Sequence, residues 1–170
     1  MCYFLFLASP LTLTEVRSML PAGTTADLAA HPEQELFKSL HPSAKTVAKL
    51  LVGRCSCDLV RQRLSQPRED ERHLRERYRA LKLPRSTVIQ ALERHRAGGL
   101  MPGLGARGWA EALAAFVVEH ARNAGPSLFF LHFGPGKPDK VPGAPGHLAA
   151  SEVRRNPGVW LTEATPTLVH

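Results

Sequence analysis

The apolar positions fall into a few sharply bounded runs. Residues 2–8, Cys-Tyr-Phe-Leu-Phe-Leu-Ala, carry no charge and no polar break, the pattern of a strand covered on both faces. Thr12-x-x-Glu15 is a capping box. It opens a short helix that turns Val16, Met19 and Leu20 inward and stops at Pro21 and Gly23. Glu33–Leu40 lies between His31-Pro32 and His41-Pro42, two boundary signals, and reads as one or two helical turns. Thr46–Val52 is short, largely apolar and β-branched at both ends, so it predicts a second strand, kinked at Gly53.

Beyond residue 60 the period changes. Leu74, Tyr78 and Leu81 stand at i, i+4 and i+7 and predict an amphipathic helix over Arg68–Leu81, broken by Pro84. Ser86 is suited to cap a second helix to about Arg96, with Val88, Ile89, Ala91 and Leu92 available for burial, and Gly98-Gly99 closes it. Trp109–Arg122 is a third helix, apolar enough to lie on a sheet, ended by Asn123 and Gly125. Ser127–Phe133 predicts a strand and Gly134–Gly146 an irregular loop; Gly158–Thr162 and Thr165–Val169 are short strands.

Strands and helices are thus mixed, and the last two strands are too close together for a helical crossover. That order favours an α+β fold. The expected architecture is a four- to five-stranded mixed sheet covered by helices, of which a ferredoxin-like sheet with a helical insertion is one form. A length of 170 residues fits one domain, 1–170. No apolar run approaches the roughly 18–20 residues that span a bilayer.

Charge changes the picture at one place. The formal net charge is +7, and residues 61–107 hold twelve basic and five acidic side chains, which accounts for the whole excess. Eleven of the twelve are arginine, whose planar fork suits phosphate and carboxylate. Arg68, Arg72, Arg75, Arg79 and Lys82 repeat at four- and three-residue steps, which lines them along one face of the predicted helix. A local basic stripe points to a polyanionic partner: nucleic acid, an anionic membrane surface or an acidic protein face.

Residues 77–101, RYRALKLPRSTVIQALERHRAGGLM, resemble the helix-turn-helix of GntR-type transcription regulators. Leu81, Ser86, Thr87, Val88, Ala91, Leu92, Gly99 and Leu100 carry the resemblance, and Lys82 stands where the family usually has a turn glycine. The resemblance implies a recognition helix from Pro84 or Arg85. Arg85, Ser86, Gln90 and Arg94 would then face a groove, where Arg and Gln read guanine and adenine edges, and the Arg68–Lys82 stripe would meet phosphates.

The cysteines are Cys2, Cys55 and Cys57. An odd count with a Cys-x-Cys pair is not a secreted disulfide framework, and a cytoplasmic protein is expected. Residues i and i+2 of an extended chain share a face, so Cys55 and Cys57 point the same way. Cys2, on another predicted strand, is placed to approach them. Three thiolates with His31, His41 or His132 would complete a zinc tetrahedron, the alternative to buried thiols with no ligand. Gly103-x-Gly105-x-x-Gly108 has the spacing of a phosphate loop, but a helix precedes it where a dinucleotide site needs a strand. No complete catalytic signature is present. The expectation is a non-catalytic basic protein that binds nucleic acid or a ribonucleoprotein surface. A protein-interaction module and a thiol-dependent redox or zinc protein are the alternatives.

Overall fold

A computed structural model describes residues 2–60, 75, 76, 78–96, 106–134, 138 and 143–170, with backbone alone at 94–96, 106 and 107. The elements are β1 (Cys2–Ser9), α1 (Leu13–Met19), β2 (Thr25–Leu28), α2 (His31–Leu40), β3 (Thr46–Leu51), α3 (Arg85–Arg96), α4 (Ala106–Ala124), β4 (Ser127–Gly134), β5 (Gly146–Leu148), α5 (Ala150–Arg155) and β6 (Thr167–Val169). The fold is α+β. Its sheet has six strands in the order β2-β3-β1-β4-β6-β5, more than the four or five expected.

β1 lies between β3 and β4, antiparallel to both, with Leu7 opposite Ala48 on one side and Phe129 on the other. This explains its unbroken apolar sequence, since both of its faces are covered. Alternate residues divide between two cores. Tyr3, Leu5 and Leu7 of β1, Ala48 and Leu50 of β3, and Phe129 and Leu131 of β4 enter the larger one. There they meet Val16 of α1 and Trp109, Leu113, Phe116 and Val117 of α4. Phe6 and Ala8, Val47, Leu128 and Phe130 point the other way and meet Phe37 of α2. The rings of Phe6, Phe37 and Phe130 lie 5.0 to 6.4 Å apart. Burying each contributes about 1.5–3 kcal/mol.

The expected capping box is present. Glu15 N–H donates to Thr12 Oγ1 at 3.4 Å, and Thr12 N–H donates to the Glu15 carboxylate at 2.8 Å. The hydrogen bonds to Thr12 hold the Glu15 carboxyl below its ordinary range.

Three expectations need correction. Gly158–Thr162 is not a strand but a turn region, in which Val159 N–H donates to Asn156 O at 3.2 Å. Its apolar residues serve as a plug: Trp160 and Leu161 are buried, and the Trp160 ring meets Phe129 edge-on at 5.3 Å. β2 and β5 are strands that the pattern did not indicate. Their burial is slight, so they carry little apolar signal, and backbone pairing defines them. β5 and β6 are parallel and are joined through α5, so a short helical crossover does exist at this edge.

Beneath α4, His120 and Ser9 are both fully buried, with Ser9 Oγ 2.9 Å from His120 Nε2. Ser9 Oγ also accepts from Leu11 N–H at 3.0 Å, while His120 Nδ1 is buried with no hydrogen-bond partner among the described residues. Neither side chain is open to a substrate, so the pair is structural. Burial pushes the His120 pKa down to about 4, from an ordinary 6.5. The unfolded chain therefore binds this proton before the folded one does. Stability is complete above pH 6.5 and is lost as pH falls toward 4, by about 3 kcal/mol. In urea titrations at pH 7 and pH 5, His120→Gln is expected to lose less stability on acidification than the parent. Parallel losses would disprove the assignment.

Candidate functional site

The basic segment is described in part. Residues 75, 76 and 78–80 are helical, and α3 follows after a turn at 81–84. Lys82 N–H donates to Arg79 O at 2.9 Å and Leu83 N–H to Tyr78 O at 3.2 Å. These two bonds form a Schellman ending, and Leu83 packs back on Tyr78. Lys82 takes φ +50, the left-handed conformation that such an ending requires at this position. Tyr78 and Leu92 are the buried centre of a small core that includes Leu83, Val88 and Ala91. Phe133 of β4 joins this core to the sheet, with its ring 6.0 Å from Tyr78 and 4.8 Å from Tyr3.

With those residues turned inward, Arg75, Arg79, Lys82, Arg85, Ser86 and Gln90 are exposed. Leu81 and Ile89, each 46% exposed, lie on the same surface segment. Arg68 and Arg72 of the expected stripe lie outside the described residues, as do Gly99, Leu100 and the side chain of Arg94. Of the glycine loop, Gly103 and Gly105 also lie outside, and Gly108 is inside α4.

At the far end of β1 the three cysteines converge. β3 pairs with β1 only from Leu5 onward, so its register stops short of Cys2, Tyr3 and Phe4. The chain turns back to fill the gap. Val52 N–H donates to Cys55 O at 2.9 Å, closing a turn in which Gly53 takes φ +68. Ser56 then docks on β1 and β3. Its N–H donates to Tyr3 O at 2.8 Å, its hydroxyl accepts from Leu5 N–H at 2.7 Å, and the same hydroxyl donates to Leu50 O at 2.6 Å. Ser56 is fully buried. The flanking Cys55 and Cys57 are thereby set beside Cys2, and their Sγ atoms all lie within 4.8 Å of one another.

No disulfide joins these residues, and all three are half-buried. Tyr3 N–H points at Cys57 Sγ, 3.4 Å away. Hydrogen bonding to Cys2 and to Cys55, followed by burial, pushes the Cys57 thiol up, and the Cys55 thiol is raised by hydrogen bonding to Cys2. Both are therefore protonated at neutral pH, which opposes a nucleophilic role. The expected histidine ligand is not there. His31 is exposed on α2, His41 ends that helix 3.3 Å from Ser43 Oγ, and His132 stacks on Phe130 at 6.5 Å. Among the described residues no His, Asp or Glu joins the three thiols.

Two polar pairs escaped the sequence reading, Ser9 with His120 and Glu33 with Lys49. Neither has a spacing signal, because each bridges elements far apart in the chain. No helix of the described residues is long and apolar enough to cross a membrane. Comparison with known protein families, curated proteins and solved structures gives no match for this chain.

Proposed function

We propose that the chain is a non-catalytic, cytoplasmic nucleic-acid-binding protein that docks through the basic segment around α3. The observation that carries this reading is the pair of helices joined at Lys82. The left-handed Lys82 supports the resemblance to GntR-type regulators, because their turn position favours that conformation. The exposure of Arg79, Lys82, Arg85, Ser86 and Gln90 supports it further. Phosphates would meet the arginines, and base edges would meet Gln90 and Arg85. In the sheet, the order β2-β3-β1-β4 is antiparallel throughout, and α1 and α4 pack in one core. This supports a ferredoxin-like half, with α2 as an added helix on the opposite face.

Exposed Leu81 and Ile89 favour a second reading, an acidic protein face with apolar spots as the partner. A salt-titrated gel-shift assay on duplex DNA and on RNA separates the two. Arg79→Glu combined with Arg85→Glu is expected to weaken binding and to reduce the salt slope by about two. The charge-matched Arg154→Glu with Arg155→Glu should leave binding unchanged. Absence of binding at low salt, or equal losses in both variants, would refute the nucleic-acid reading.

A further inference from the structure

We infer that Cys2, Cys55 and Cys57 form a three-thiolate zinc site. A tetrahedral zinc ion with Zn–S bonds of about 2.3 Å needs sulfurs about 3.8 Å apart. The three Sγ atoms already lie within 4.8 Å of one another, so side-chain rotation of under about 1 Å closes the set. The frame that carries them is rigid. Ser56 is pinned by its three buried hydrogen bonds, and the Gly53 turn fixes the chain just before Cys55. Little conformational entropy is left to lose when an ion arrives, and preorganisation of this kind favours binding.

One backbone donor is placed to support a bound thiolate. The Tyr3 amide aimed at Cys57 Sγ is a donor of the kind that stabilises metal-bound sulfur. Three thiolates and one Zn²⁺ carry a net charge of −1, and the exposed Arg54 beside Cys55 lies in the same turn. Half-burial of all three thiols leaves the ion a path in from solvent. Soft sulfur donors select zinc over magnesium or calcium, which prefer oxygen. A structural zinc site is closed by four protein ligands, whereas an open fourth position admits water or an exogenous donor. Among the described residues three of the four donors are in place.

The test uses the whole chain, reduced and freed of metal. Titration with Zn²⁺ against a chromophoric chelator is expected to give one equivalent bound, tighter than micromolar. In a parallel footprint, Zn²⁺ should slow alkylation of Cys2, Cys55 and Cys57 together, read by mass spectrometry on the unaltered sequence. Cys55→Ser and Cys57→Ser should each weaken binding by at least about tenfold. Alkylation rates indifferent to Zn²⁺, or serine variants that bind as the parent does, would overturn the assignment. So would oxidation to a disulfide without any zinc uptake by the reduced protein. The footprint needs no variant, so a misfolded serine mutant cannot rescue or sink the proposal, and its outcome is independent of nucleic-acid binding.

Discussion

Lys49→Met is expected to cost about 3 kcal/mol, the lower end of the roughly 3–5 kcal/mol typical when one partner of a buried ion pair is removed. Glu33 is 1% exposed and lies 2.9 Å from Lys49 Nζ, which is itself 25% exposed. Among the described residues, Lys49 is the partner that Glu33 Oε1 meets, as an ion pair. The other carboxylate oxygen accepts from Ala30 N–H at 2.7 Å and caps α2. The ammonium also lies over the rings of Phe6 and Phe4, at 5.3 and 5.9 Å. Methionine keeps the stem and its contacts but leaves a carboxylate buried with a single amide for company. Glu33→Gln keeps the cap through its amide oxygen and removes the charge, so it should be milder. The double variant should recover part of the loss, and that recovery is the signature of coupling. Urea unfolding checks this: a Lys49→Met loss below about 1 kcal/mol, or strict additivity in the double variant, would sink the argument. A loss of about 3 kcal/mol is large against the roughly 5–15 kcal/mol that holds a typical domain together.

Ser56→Ala is the second large effect, about 2–4 kcal/mol, because it strands two buried backbone groups at roughly 1–3 kcal/mol each. Leu5 N–H loses its acceptor and Leu50 C=O loses its donor, at the point where β1 and β3 begin to pair. The side chain removed is small, so lost apolar burial does not explain such a cost. Hydrogen exchange should show the Leu5 amide losing protection while amides in the middle of β4 keep theirs. A urea midpoint that stays within about 0.5 kcal/mol of the parent, or an unchanged Leu5 amide, would contradict the bridging role assigned to Ser56.

The difference between what the sequence displays and what it hides is physical. β1 and β4 are covered on both faces and show it in the apolar runs Tyr3–Ala8 and Leu128–Leu131, while β3 is apolar apart from Thr46 and Lys49. The Thr12–Glu15 cap is local and so is readable. β2 buries only Ala26 fully, and β5 buries no residue fully, so pairing at a sheet edge defines them without leaving a pattern. Val159-Trp160-Leu161 has a strand's composition, yet it folds as a plug because Trp160 fills space against Phe129. The thiol cluster was legible by half. Cys55 and Cys57 share a face by their spacing alone. The arrival of Cys2 depends on β1 outrunning β3, which no local signal records. For the basic segment, the turn at Lys82 and the exposed Arg79 and Arg85 are in view. Their meaning depends on a partner, and a sequence describes only one side of that encounter.

The central position of β1 also has a cost in time. It precedes the other described elements in chain order, and one of its two neighbours, β4, begins only at Ser127. During synthesis the strand therefore emerges long before the partner that completes it. Contacts between such distant parts of a chain form slowly, because loop-closure entropy is lost before pairing rewards it. In that interval Tyr-Phe-Leu-Phe-Leu is an unsatisfied β edge, uncharged and free of proline, the kind of segment that pairs with its like in a neighbouring chain. The strand that organises the finished sheet is thus also a part of the nascent chain in need of shelter.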